Sequence, residues 1–222
     1  MNDLPWHFLR RASQLVCWRS ISLTVEGLEN VPTNGAVILV SRHYHHLFDG
    51  CVLLATIDRP IHPLVALDWA QNPLLHRTMG VLCLSARWPV VLRSDPASGR
   101  VRPGAIPKLK KAIELSIDLL REGRVVLTFP EGYPTIDPTF TPKTHDDEFL
   151  SFQAGVVTVA QRAAAQGVDA KLIPVGLSYR KDDRWQTIVR FGEPVQNFAA
   201  KPTSDVVTIL EREVRVLSAD SR

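Results

Sequence analysis

"AVILVSRHYHHLFDGCVLLATI", residues 36–57, decides how this chain is read. Its first six residues are short, almost wholly apolar and rich in β-branched side chains, which suits a strand buried on both faces. From Gly50 to Ile57 the pattern turns helical. Between the two stand His43, His45, His46 and Asp49. The cluster therefore falls at a strand-to-helix junction, where α/β sheets tend to bind ligands.

Moving outward, Ile21, Leu23 and Val25 alternate as a strand should before the turn at Gly27. Residues 68–80 read as a helix broken by Pro73, and 89–93 ("PVVLR") as a strand. A Ser-, Pro- and Gly-rich loop leads to an amphipathic helix with Ile106, Leu109, Ile113, Ile117 and Leu120 on one face, ended by Gly123. "RVVLTF" (124–129) is a buried strand followed by a long loop. A helix within 149–167 closes at Gly167. Residues 171–179 and 187–195 are two more strands. The last helix starts near Thr203 or Ser204, either a good N-cap, and carries Val207, Leu210, Val214 and Leu217. Strands alternating with helices predict one α/β domain over 21–222, with a mostly parallel central sheet flanked by helices.

The balance of 45% hydrophobic and 22% charged residues is that of a globular chain rather than a disordered one. A net charge of +3, without a Lys/Arg run or a basic stripe interleaved with aromatics, gives no reason to expect nucleic acid as a partner. Three cysteines, Cys17, Cys51 and Cys83, fit neither a zinc knuckle nor a redox pair, so reduced thiols are expected. No apolar run is long enough to span a bilayer. Residues 1–20 place Arg10, Arg11 and Arg19 among Trp6, Phe8, Leu9, Leu15, Val16 and Trp18, unlike a secretory signal. Such a cationic, Trp-bearing amphipathic segment suits an anionic membrane surface, or a helix packed on the domain. The expectation is a cytoplasmic protein peripherally associated with the membrane.

The histidine cluster admits three chemistries. His-x-His suits zinc, as in a metal-dependent hydrolase, but Leu47 and Phe48 stand where the following ligands would be needed. The histidines could instead cap the next helix. Or one imidazole takes a proton from a hydroxyl while Asp49 fixes its tautomer. His45 meets Asp49 if the segment is helical, and His43 meets it if a turn intervenes. No G-x-S-x-G occurs and no cysteine lies beside the cluster, so a covalent Ser or Cys route has little support.

"VILVSRHYHHLFDG" resembles the first motif of the glycerolipid acyltransferases, the 1-acylglycerol-3-phosphate acyltransferase family, in which a strand ends in Asn-His and an Asp follows after four residues. "PVVLR" resembles the second motif, "LTFPEGYPT" the third (Phe129, Pro130, Glu131, Gly132) and "LIPVGLSY" the fourth. "FQAG" (152–155) and "FGEPV" resemble two further family blocks. The likeness spans about residues 22–197. This chain departs at Arg42 for the usual Asn, at Gln153 for the usual Lys, at Tyr133 for a common Thr, and in the spacing to Asp49. Aligned on the strand end, the motif selects His43; counted back from Asp49, it favours His45.

The resemblance implies a glycerol-3-phosphate acyltransferase-like fold and transfer of a fatty acyl group from acyl-CoA or acyl carrier protein to a lysophospholipid or related hydroxyl. His43, or alternatively His45, is then the base and Asp49 its orienter. Arg93 holds the acceptor phosphate. Glu131 binds acceptor hydroxyls or orders its loop, and Gly132 permits the turn. No metal and no cofactor beyond the thioester co-substrate is implied. The irregular first motif leaves open a catalytically degenerate lipid-binding protein of the same fold.

Overall fold

A computed structural model describes residues 4–70, 72–93 and 102–219. In chain order the elements are α1 (Leu4–Ser20), β1 (Ile21–Glu26), β2 (Ala36–Ser41), α2 (Phe48–Thr56), β3 (Ile61–Pro63), β4 (Val65–Ala66), α3 (Pro73–Ser85), β5 (Val90–Val91), α4 (Ala105–Arg121), β6 (Val125–Thr128), α5 (Gly155–Ala165), β7 (Ala170–Lys181), β8 (Trp185–Phe191) and α6 (Thr203–Ser218). Six strands form one sheet in the order β1-β8-β7-β2-β6-β3. Strands β7, β2, β6 and β3 run parallel, β8 returns antiparallel to β7, and β1 runs alongside β8. The expected mostly parallel α/β sheet is what the chain forms.

All six residues of β2 are buried, because the strand lies mid-sheet with helices on both sides. Period-two alternation splits them. Val37 and Leu39 join a core with residues of α1 and α2, while Ala36, Ile38 and Val40 join one with α4, α5 and α6. Each of the fully buried Val37, Ile38, Leu39 and Val40 side chains contributes roughly 1.5–3 kcal/mol. The strand carries His43 out of its end and into a turn above the sheet.

Several boundaries differ from the sequence expectation. Pro73 begins α3 rather than breaking a longer helix. A proline at the first helical position lacks only an N–H that would be unpaired anyway, and Asn72 caps it, accepting from Leu74 N at 2.9 Å and Leu75 N at 3.3 Å. Only Val90 and Val91 of the expected 89–93 strand pair, and they pair with β4 in an outlying ribbon rather than the main sheet. On α4, Ile106 and Leu109 are exposed, and the small residues Ala105, Ala112 and Ser116 share the inner face with Ile117, Leu119 and Leu120. On α6, neither hydroxyl caps; Pro202 holds that position, and Thr203 Oγ1 donates to Gln161 Oε1. Its buried residues are Val206, Leu210, Val214 and Ser218. The helix lies hard against β7, where a Cβ on Gly176 would come within 2.3 Å of the Leu217 backbone.

α1 is docked through one face. Ser13 and Cys17 are buried, Val16 and Trp6 pack on the core, and Arg184 from the β7–β8 turn donates to the carbonyls of Cys17, Trp18 and Ile21, capping the helix end. Its other face leaves Leu4, Phe8, Leu15 and Trp18 exposed. All three cysteines are buried and unpaired, with burial pushing the Cys17 thiol up to about 12. Among the described residues no helix is long and apolar enough to cross a membrane.

Candidate active site

His43 leaves the end of β2 with its Nδ1 2.8 Å from Asp49 Oδ2. Five residues lie between them, one more than the usual four. The turn absorbs the extra residue because the amides of Tyr44 (2.7 Å) and His45 (3.0 Å) both fold onto the same carboxylate. Tyr179 OH donates to Asp49 Oδ1 at 2.8 Å. Asp49 is completely buried in the first turn of α2, where the helix dipole favours its charge. Burial, then Asp49, holds the Tyr179 hydroxyl well above the usual tyrosine range, so it stays a donor.

The His43 ring stacks on Phe129, centroids 4.4 Å apart. Its side chain is 16% exposed, and its Nε2 has no hydrogen-bond partner among the described residues. With Nδ1 held on Asp49, Nε2 is the ring nitrogen that faces outward unengaged.

The His45 ring turns away from Asp49. Its Nδ1 accepts from Leu47 N (3.2 Å) and Phe48 N (3.4 Å), closing the start of α2. The ring lies between His46 and Phe48, edge-on to Trp185. Burial and then His46 drive its pKa down to about 4, so it is a neutral capping residue. His46 is exposed, with Nδ1 3.3 Å from Ile136 O. The three rings thus serve different partners, and among the described residues no group of three or more His, Cys, Asp or Glu is placed to share a metal ion.

Glu131 sits in the expected third motif, but its carboxylate is enclosed. Oε1 accepts from His43 N at 2.8 Å, and Oε2 from Leu150 N at 3.0 Å and Lys143 Nζ at 2.6 Å. It is 3% exposed. These contacts tie the Glu131 loop to the turn that carries His43, the loop-ordering one of its two expected roles. Lys143, to which the sequence assigned nothing, also donates to His43 O at 2.8 Å. Burial lowers the Lys143 pKa, with Glu131 opposing. Gly132 takes φ +76 to turn the chain after Pro130, a conformation that strains any residue with a Cβ.

Arg93 reaches this loop from beyond β5. Its Nη1 donates to Gly132 O and its Nε to Asp68, each at 3.0 Å, and the guanidinium lies 4.2 Å over the Tyr133 ring. Arg93, Glu131 and His43 are thus brought together at one end of the sheet. Arg42, in place of the usual Asn, is buried between the Tyr44 and Phe149 rings and donates to Asp146 O at 2.7 Å. It straps the 146–149 loop beside the site. Tyr179 had a detectable signal: it follows Val175 and Leu177 at period two on the strand beside β2. Lys143 had none.

The family model described as "Acyltransferase" matches residues 22–178. No curated protein sequence matches the chain. The crystal structure of the 1-acyl-sn-glycerophosphate (LPA) acyltransferase PlsC from Thermotoga maritima is similar with a TM-score of 0.65 at 16% identity, covering 98% of this chain and 81% of that one. At that identity the likeness speaks for the fold, and it agrees with the glycerolipid acyltransferase resemblance carried by the motifs. A chain matched over most of its length, with the histidine and carboxylate of the first motif in contact, belongs to the acyltransferase family.

Proposed function

We propose that the protein is an O-acyltransferase that moves a fatty acyl group from an acyl thioester, acyl-CoA or acyl carrier protein, to the hydroxyl of a phosphate-bearing glycerolipid precursor such as 1-acylglycerol-3-phosphate. The observation that carries this is the 2.8 Å contact of His43 with a buried, fully hydrogen-bonded Asp49. His43 Nε2 takes the acceptor hydroxyl proton as its oxygen attacks the thioester carbonyl. The tetrahedral adduct expels the thiolate, which recovers that proton from the imidazolium. The products are an ester and a free thiol, with no acyl-enzyme. Arg93, beside the turn at Gly132 and braced by Asp68, is the cation for the acceptor phosphate. Both substrates carry long chains, so the protein works at a membrane surface, and the exposed α1 stripe of Leu4, Phe8, Leu15 and Trp18 provides contact with it.

The test is thiol release from acyl-CoA and from acyl carrier protein against a panel of lysolipid and polyol acceptors. Arg93→Ala is expected to raise KM for phosphate-bearing acceptors and leave neutral ones little changed. Wild-type turnover that survives in His43→Ala and Asp49→Asn would sink the mechanism. Acceptor binding without turnover across the panel would assign the chain instead to lipid binding without chemistry.

A further inference from the structure

Among the described residues, the large apolar side chains more than 60% exposed fall on α1, α3 and the first turn of α4, Val216 apart. The sequence marks Phe8, Leu15 and Trp18 of the α1 set as part of an amphipathic segment. The exposure of the α3 and α4 set was not foreseen. On α3, Leu74 is 75% exposed, Val81 61% and Leu84 81%. With Arg77 they follow at spacings of three, four and three, a single helical stripe. The opposite side of the helix is anchored by buried Cys83. On α4, Ile106 is 71% and Leu109 45% exposed, interleaved with exposed Lys108, Lys110 and Lys111.

Charge singles out the same region. α3 contains no acidic residue, and the first on α4 is Glu114. In sequence, residues 69–113 hold eight of the 26 Lys and Arg but only one of the 23 Asp and Glu, so the remainder of the chain is net negative. The two helix starts are also gathered at one point. Asp68 takes Arg93 at 3.0 Å and Arg102 at 4.0 Å. Asp68 lies four residues before Asn72, the α3 cap, and Arg102 O accepts from Ala105 N, the first residue of α4.

We propose that α3 and the first two turns of α4 form a second docking face, taking an anionic phospholipid surface beside Arg93. Exposed leucines enter the acyl region while lysines meet headgroup phosphates. A second copy of this chain is a poor occupant, because a self-complementary contact would set lysines against lysines with no acid between. A purely acidic partner would leave the α3 stripe in water. The placement beside Arg93 matters only if the acyl-transfer reading holds; the docking does not depend on it.

The experiment is co-sedimentation of the full chain with phosphatidylcholine vesicles, with and without phosphatidylglycerol. Wild type should favour the anionic vesicles. Leu74→Glu/Leu84→Glu should weaken binding to them at least about tenfold. Lys108→Glu/Lys110→Glu/Lys111→Glu should cost roughly a hundredfold at low salt and erase the lipid preference. These exposed positions leave folding intact, checked by unchanged melting. Wild type that ignores vesicles, or variants that bind within about twofold of it, overturns the proposal. A dimer in sedimentation velocity that the leucine changes dissolve reassigns the face to a second copy. Capture of acyl carrier protein lost in the lysine variant, with vesicle binding intact, reassigns it to a protein. Sedimentation needs no turnover, so absence of acyl transfer in every form strikes the proposed function alone.

Discussion

Lys143 Nζ lies 2.6 Å from Glu131 Oε2, with both side chains shut off from solvent. The two flank His43: Glu131 accepts from its backbone N–H, and Lys143 donates to its carbonyl. Removing either partner strands a buried charge. Lys143→Met should therefore lower stability by about 3–5 kcal/mol, read by urea denaturation. Adding Glu131→Gln to it should recover a large part of the loss, since the second change removes the stranded charge. A double variant no better than Lys143→Met alone would show the pair is not coupled.

His43 and His45 should separate cleanly. His43→Ala is expected to reduce kcat by about 10²–10⁴-fold with unchanged melting, the loss of a general base. His45→Ala removes a helix cap, so it should cost about 1 kcal/mol of stability and leave turnover within tenfold. Thiol-release kinetics with parallel melting curves decide it, and the reverse pattern would move the base to His45.

Tyr179→Phe deletes one donor to a buried carboxylate. A stability loss of about 1.5–3 kcal/mol is expected, along with a fall in kcat larger than any change in KM, because Asp49 is then less firmly held against His43. Equal loss in both kinetic constants would argue that Tyr179 meets substrate.

The low pKa of His45 sets a pH window. Its value in the folded protein is about 4 against 6.5 when unburdened. Between those values the unfolded chain binds a proton that the native chain refuses. Stability from this group is present above about pH 6.5, falls as pH drops toward 4, and loses nothing further below. The full effect is on the order of 3 kcal/mol. Urea midpoints at pH 7 and 4.5 should differ less in His45→Asn than in wild type.

The sheet was legible because β2 and β6 announce themselves as short apolar runs and β7 as a longer one, and the burial of β2 on both faces follows from that pattern. Local signals failed where tertiary contacts outranked them. Pro73 reads equally as a breaker or a first helical residue until Asn72 is seen accepting from the next amides. The hydroxyls at Thr203 and Ser204 look like caps, yet Thr203 is drawn to Gln161. At the site, His43 and Asp49 were readable as a motif, whereas Lys143 is one loop lysine among several and is found only when Glu131 is seen to need a cation. For Glu131 the sequence leaves acceptor binding and loop ordering equally open, because it cannot show that three donors surround the carboxylate.

His43 and Asp49 are six positions apart, but their jacket is recruited from Glu131, Lys143 and Tyr179, at sequence separations of 88, 100 and 130 residues from the groups they hold. A nascent or truncated chain ending before β7 carries the imidazole and its carboxylate without the hydroxyl that braces Asp49. Turnover should accordingly return in the final phase of refolding, after helical signal has recovered, making catalysis itself a gauge of when the last strands have zipped home.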